Sequence, residues 1–295
     1  MAAQAIVQHI LSQLPLRPSL GPLFVAIQGP QGSGKSYSTE LAQKALTTQH
    51  HLRVASLSLD DLYLPHKKLR ALASAHPQNV LWRGRGLPGT HDTSLATEIL
   101  TRMRDGVPTE LPRFDKSLHG GEGDRLPMDG TGPNIHPPLD VVIVEGWCMG
   151  FRSIPSDVLN KKWANNWADE CTNLKLNTEL FRKEDVKVVN QSLRGYDHLW
   201  DFFHTFIQLK PVSPEGSVSQ YSLIYKWRLE QEHYMKARNG GRGMSDQEVK
   251  LFVDRYIPGY VFFGEGVTEA TSSWAGNGCC ICLNERREVV EVTTL

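Results

Sequence analysis

Short runs of aliphatic and β-branched residues recur along this chain, separated by longer amphipathic stretches and by clusters of Gly and Pro. Leu23 to Gln28, Val54 to Leu59, Val141 to Val144 and Val289 to Val292 each have the length and apolar character of a strand, the first three as buried parallel strands. Between them, helical spacing predicts a first helix with Ile6, Val7, Ile10, Leu11 and Leu14 on one face. Further helices are predicted from Lys35 to Thr47, His66 to Ala75, Thr93 to Asp105 and Lys226 to Arg238, the last stopped by Asn239-Gly240-Gly241. Ser245 with Glu248 fits a capping box opening another helix, which Pro258 is expected to end. Breaker-rich connections are expected over Pro15 to Pro22, Asn79 to His91 and Gly120 to Pro138. The polar, Trp-rich stretch from about 155 to 210 reads as helical segments. Strands alternating with helices imply an α/β chain with a mostly parallel sheet covered on both faces.

Composition narrows the function. Thirty-two basic residues balance 32 acidic ones among 295, so the chain has no bulk attraction for nucleic acid or an anionic membrane. No apolar run approaches the ~20 residues needed to cross a bilayer. The N-terminal stretch, without acids before Glu40, reads as a first helix and not as a targeting segment. Five cysteines, an odd number, point to reduced thiols and a cytoplasmic location. Cys279, Cys280 and Cys282 lack a second ligand pair and read as part of an apolar strand.

The chemistry starts at Gly29-Pro30-Gln31-Gly32-Ser33-Gly34-Lys35-Ser36, a complete G-x-x-x-x-G-K-[ST] between a predicted strand and a predicted helix. Glycines let successive N–H groups turn onto phosphate, and the following helix presents its positive end to the same anion. Residues Gly29 to Ser36, with Tyr37, are therefore assigned to nucleotide; Lys35 bridges the β- and γ-phosphates, and Ser36 is a Mg²⁺ ligand. Glu145 follows the Val141 to Val144 run at its carboxyl end, the position for a metal or metal-water ligand. Asp60 and Asp61 end the strand after the phosphate loop, where a carboxylate could take the proton of an acceptor hydroxyl. Turn aspartates explain the pair equally well.

Five segments then occur in one order: the phosphate loop, Ser58-Leu59-Asp60-Asp61-Leu62-Tyr63, Arg85-Gly86-Leu87-Pro88-Gly89-Thr90-His91-Asp92, Pro112-Arg113-Phe114-Asp115-Lys116-Ser117, and Val144-Glu145-Gly146-Trp147. With Gly121-Glu122-Gly123-Asp124-Arg125 and the late helices beginning Tyr225 and Met244, they resemble the glycerate kinase family of plants and fungi, related to pantothenate kinase, uridine kinase and phosphoribulokinase. The resemblance implies a P-loop kinase fold in one domain over residues 1–295, with a lid or insertion over 151–245. It also implies ATP with Mg²⁺, a small acid as acceptor, and Asp60 as the base and as a possible metal ligand. Arg85, Arg113, Lys116 and Arg125 are assigned to the acceptor because cations suit a carboxylate, His91 and Asp92 because they could bond its hydroxyls, and Asp61 is assigned to the same side. Arg228 on the charged helix is the candidate to neutralise charge on the moving phosphoryl group. Leu62 stands where relatives often carry Phe, and 153–220 has little that can be matched. Two other readings stay open: a kinase for pantothenate or a nucleoside, and a non-catalytic ATP-binding switch. Monomer and homodimer are not distinguished.

Overall fold

In the computed structural model, which describes residues 1–17 and 21–295, the apolar runs assemble into one sheet. Its strands are β1 (Leu23–Gln28), β2 (Val54–Ser58), β3 (Val141–Gly146), β4 (Thr205–Pro211), β5 (Gly278–Leu283) and β6 (Val289–Thr294). Their spatial order is β6-β5-β4-β1-β3-β2, parallel throughout except for β6, which runs antiparallel along the edge of β5. Every position of β1 and β3 is buried, which explains their unbroken apolar runs. At the rim, β6 carries Glu291, Thr293 and Thr294 in exposed positions, polar side chains that discourage pairing with another chain.

Odd and even positions of the central strands face opposite layers. Leu23, Val25, Ile27, Val141 and Ile143 pack with Ile6 and Ile10 of α1 (Ala2–Gln13) and with Ala42 and Leu46 of α2 (Lys35–His50). Phe24, Ala26, Val142 and Val144 pack on the other face with Ile99 and Leu100 of α3 (Thr93–Arg104) and with Trp200 and Phe262. Trp163, Trp167 and Trp200 join this aromatic layer, as expected of core packing. Cys279, Cys280 and Cys282 lie on β5, buried.

Several elements differ from expectation for identifiable reasons. The end of the stretch read as helical, Thr205–Pro211, is the central strand β4, whose Gln208 and Lys210 interrupt the apolar run that marks β1 and β3. The second strand stops at Ser58, where the Ser58 side chain accepts the Asp60 N–H and turns 59–62 into a helical turn. The charged helix begins earlier, at Ser222, and is α4 (Ser222–Arg238). The Ser245–Glu248 capping box is formed, opening α5 (Asp246–Asp254). Pro258 does not end that helix; it sits in the first turn of the next, α6 (Ile257–Phe263), where its missing N–H costs nothing. Of the connection from Pro15 to Pro22, residues 18–20 lie outside the described residues.

Ile143 is fully buried at the centre of the sheet. Ile143→Ala is expected to lower unfolding stability by about 2–5 kcal/mol, measured by urea denaturation; a loss under ~1 kcal/mol would mean the layer collapses readily around the cavity.

Candidate active site

The parallel register sets the site. Ile27 of β1 and Ser58 of β2 both lie opposite Glu145 of β3, so the chain leaves all three strands at one end of the sheet. From β1 it turns through 29–34 into α2. Gly32 and Gly34 have φ of 73° and 81°, the left-handed region that glycine enters freely. At Gly32 space adds a second constraint: a Cβ there would stand 2.6 Å from the carbonyl carbon of Trp227 on α4. The phosphate loop thus lies directly against α4. Its other members are placed as follows: the Pro30 carbonyl accepts the Ser33 N–H, the Gln31 N–H donates to the Tyr260 hydroxyl, and Tyr37 stands 68% exposed on the first turn of α2.

Lys35, Ser36 and Glu145 meet. Ser36 Oγ donates to Glu145 Oε1 at 2.8 Å, and Lys35 Nζ is 3.5 Å from Glu145 Oε2. Glu145 is 5% exposed, and its Oε2 has no hydrogen-bond partner among the described residues. A buried carboxylate oxygen without a donor, beside a serine hydroxyl, is a hard-oxygen set that suits Mg²⁺.

Asp60 and Lys116 form the second charged pair. Lys116 Nζ donates to Asp60 Oδ2 at 2.6 Å, and the Tyr63 hydroxyl donates to Oδ1 at 2.9 Å. Burial alone would favour the neutral acid. The Lys116 and Lys35 cations, with the two hydrogen bonds, outweigh it and hold Asp60 well below the usual carboxylate range. Asp61 differs: burial raises it, while its Oδ1 accepts the Phe114 N–H and so anchors the segment that carries Lys116. That segment is a small hairpin, Phe114–Asp115 paired with Asp124–Arg125. Arg85 braces its tip, donating from Nη1 to the carbonyls of Gly121 and Glu122 and lying over the Phe114 ring.

His91 is 6% exposed and stacks on Tyr63 with ring centroids 4.6 Å apart. Its Nδ1 is 2.8 Å from the Tyr196 hydroxyl, which also accepts the Gly89 N–H. Tyr196 can use its own proton only by donating it to Nδ1, which puts the His91 proton on Nε2. Burial pushes His91 down to about 4, so the ring is neutral, and Nε2 has no partner among the described residues.

The remaining assignments are less convergent. Asp92 caps α3 by accepting the Leu95 N–H and also accepts Arg125 Nη1 at 2.8 Å, so these two satisfy one another. Arg113 turns to Thr131. Arg228 is tied to Glu232 at 2.8 Å, one turn along α4, and lies over the Phe252 ring; no group of the phosphate loop holds it. Tyr63 and Tyr196 were missed as site residues, although Tyr63 stands within the Ser58–Tyr63 motif. Arg287 was missed because no motif contains it: its Nε donates to the Gly32 carbonyl at 2.7 Å.

Fold and phosphate loop together define a P-loop kinase. No protein-family model matches the chain. It is similar to the probable ATP-dependent kinase TDA10 of Saccharomyces cerevisiae, 34% identical over 251 residues, covering 82% of this chain and 78% of that one. With the chloroplastic D-glycerate 3-kinase of Arabidopsis thaliana it shares 32% identity over 244 residues, 81% of this chain and 47% of the plant protein. The solved D-glycerate 3-kinase of Cryptococcus neoformans var. grubii superposes with a TM-score of 0.89 and 36% identity, covering 100% of this chain and 99% of that one. The chain belongs to the family of plant and fungal D-glycerate 3-kinases and their fungal ATP-dependent kinase relatives. It is an ATP-dependent kinase that acts on a hydroxyl of a small molecule. No helix among the described residues is long and apolar enough to cross a membrane.

Because Asp60 is depressed, its charge contributes stability above the unfolded carboxylate value, and that contribution is lost as pH falls towards the folded one. In Lys116→Met the burial penalty remains and the nearest cation is gone, so Asp60 should rise. The expected outcome is a pH–rate profile whose acid limb moves to higher pH than in the parent. An unmoved limb would uncouple Lys116 from Asp60.

Proposed function

We propose that this chain transfers the γ-phosphate of Mg-ATP to a hydroxyl of D-glycerate. The observation that carries the reading is the ionised Asp60 held beside the phosphate loop by Lys116 and Tyr63. A nucleotide switch has no need of such a group. The match to the Cryptococcus D-glycerate 3-kinase over the whole chain supports the acceptor.

In this reading the 29–34 backbone and the α2 N-terminus cradle the triphosphate, and Lys35 leaves Glu145 to bridge the β- and γ-phosphates. Ser36 and Glu145 would hold Mg²⁺, which when bound offsets charge on the β- and γ-oxygens. Asp60 accepts a hydrogen bond from the acceptor hydroxyl and so aims its oxygen at the γ-phosphorus. The new P–O bond forms as the bond to the β–γ bridging oxygen breaks, and the hydroxyl proton passes to Asp60 while ADP leaves. With Lys116 in place Asp60 is a weak base whose main work is orientation; moving Lys116 away raises its basicity for a proton taken late in transfer. Lys116, displaced from Asp60, supplies the cation for the acceptor carboxylate or the moving phosphoryl group. His91 offers the neutral Nε2–H to an acceptor oxygen, and Arg85 acts by bracing the hairpin.

Arg228 keeps its proposed role: Glu232 and Phe252 hold one side of its guanidinium, while its Nη1 is buried without a partner among the described residues. A lid within 151–245 narrows: much of 151–204 packs into the core, β4 lies in the sheet and α4 lies against Gly32, so the mostly exposed connections 212–221 and 239–244 are the parts left to move. Tyr63, His91 and Phe114 pack on one another, which favours a structural use of these rings over stacking on a nucleoside base. A cytoplasmic location fits the adjacent, unjoined thiols of Cys280 and Cys282, 3.9 Å apart, although the Arabidopsis relative is chloroplastic by name.

The test is ADP formation from Mg-ATP with D-glycerate, L-glycerate, pantothenate, uridine or ribulose 5-phosphate, with Lys35→Ala as the blank. D-glycerate alone should stimulate; stimulation by another acceptor instead would remove the glycerate assignment. Asp60→Asn should retain ATP binding and lose about 10²-fold or more in turnover; an unchanged rate would make Asp60 structural.

A further inference from the structure

Arg287 lies in the turn between β5 and β6, 255 residues from the glycine it touches. Each of its three guanidinium nitrogens donates a hydrogen bond. Nε donates to the Gly32 carbonyl at 2.7 Å, Nη1 to Glu230 Oε2 at 2.7 Å, and Nη2 to the Trp227 carbonyl at 3.2 Å. The same group lies over the Trp227 ring, 5.4 Å from its centroid. One side chain thus binds the phosphate loop to α4 and both to the last hairpin.

The backbone around Arg287 aims its side chain from a tight turn. The Arg287 N–H donates to the Asn284 carbonyl at 2.8 Å, and the Asn284 N–H donates to the Glu288 carbonyl at 3.0 Å, which closes a three-residue hairpin turn over 285–287. The last residue of such a turn enters the left-handed region, where glycine is the default. Here it is an arginine, with φ of 63°. His51, His119 and Lys175 share this conformation, so it is the contacts of the Arg287 side chain, and not its φ, that call for a reason.

A reason follows from the geometry of phosphate binding. A loop that turns its N–H groups inward onto phosphate must turn carbonyls outward, where an unpaired carbonyl costs stability and leaves the peptide free to rotate. We propose that Arg287 is a positioning residue of the nucleotide site: by holding the Gly32 carbonyl outward, it keeps the loop's N–H groups aimed at the triphosphate. The idea rests on the P-loop reading, and it adds a C-terminal residue that no motif contains.

The experiment is equilibrium binding of Mg-ATP without acceptor, together with melting of the apo protein, for the parent, Lys35→Ala, Arg287→Gly, Arg287→Lys and Arg286→Ala. Loss of binding in Lys35→Ala checks the P-loop reading separately. Arg287→Gly removes the side chain and relaxes the backbone, and the hairpin keeps its other ties to α4: the Trp227 Nε1 bond to the Glu285 carbonyl and the Lys226–Glu285 ion pair. It should therefore melt close to the parent while binding ATP about tenfold more weakly. Arg287→Lys keeps the charge but cannot reach three acceptors, so it should also weaken binding. Arg286→Ala loses the same charge one residue away, from an exposed position, and should bind as the parent does. Parent-like ATP affinity in Arg287→Gly would overturn the proposal, as would equal weakening in Arg286→Ala. Full rescue by lysine would do the same, by reducing Arg287 to a point charge.

Discussion

The constraint on which this molecule depends is the shared register of three parallel strands. Ile27, Glu145 and Ser58 stand side by side in the sheet, so the phosphate loop, the metal-side acid and the base-bearing turn leave it at one edge. None of these groups is close to another in sequence: Ser36 and Glu145 are 109 residues apart, and Lys116 and Asp60 are 56 apart. Only the parallel ladder, with helices covering both faces, brings them within bonding distance. A one-residue slip of β3 against β1 would turn Glu145 to the other face and empty the site.

Around that edge, close packing does the positioning. Gly32 admits the backbone of α4, Tyr260 takes the Gln31 N–H, and Arg287 takes the Gly32 carbonyl. The phosphate loop is therefore supported from two helices and a hairpin, and a ligand meets donors already oriented. The acceptor side is built differently. Lys116 is carried by a two-residue ladder and is 55% exposed, whereas Asp60, at 31%, is fixed by Tyr63. Rigid support under the nucleotide and a lighter support over the acceptor suit a site whose donor is fixed and whose acceptor must enter.

What the sequence made legible follows from locality. The phosphate loop, Glu145 at a strand end and the Ser245 cap are each set by neighbours within a few residues, and each was readable. β4 was not, because Gln208 and Lys210 break its apolar run and only pairing with β1 and β5 makes it a strand. The surroundings of Arg228 were not readable for a similar reason: a charged residue on a helix face reveals nothing of Phe252, which arrives from α5. Arg287 was invisible because its partner is a carbonyl at the other end of the chain.

The two charged pairs also constrain how the site can work. Without nucleotide, each carboxylate at this edge has its own lysine: Glu145 has Lys35, and Asp60 has Lys116. Charge is balanced without ligand, so neither acid is left as an uncompensated buried charge, which would be the costlier arrangement. A triphosphate competes for Lys35 with far more charge than one carboxylate, and Lys35 sits at the longer distance, 3.5 Å, ready to leave. Its departure frees Glu145, whose Oε2 already lacks a hydrogen bond. Lys116 holds Asp60 more tightly, at 2.6 Å, and only an anion on the acceptor side gives it a reason to move. With Asp60 as the proposed base and an acid as the proposed acceptor, this asymmetry favours nucleotide first and acceptor second.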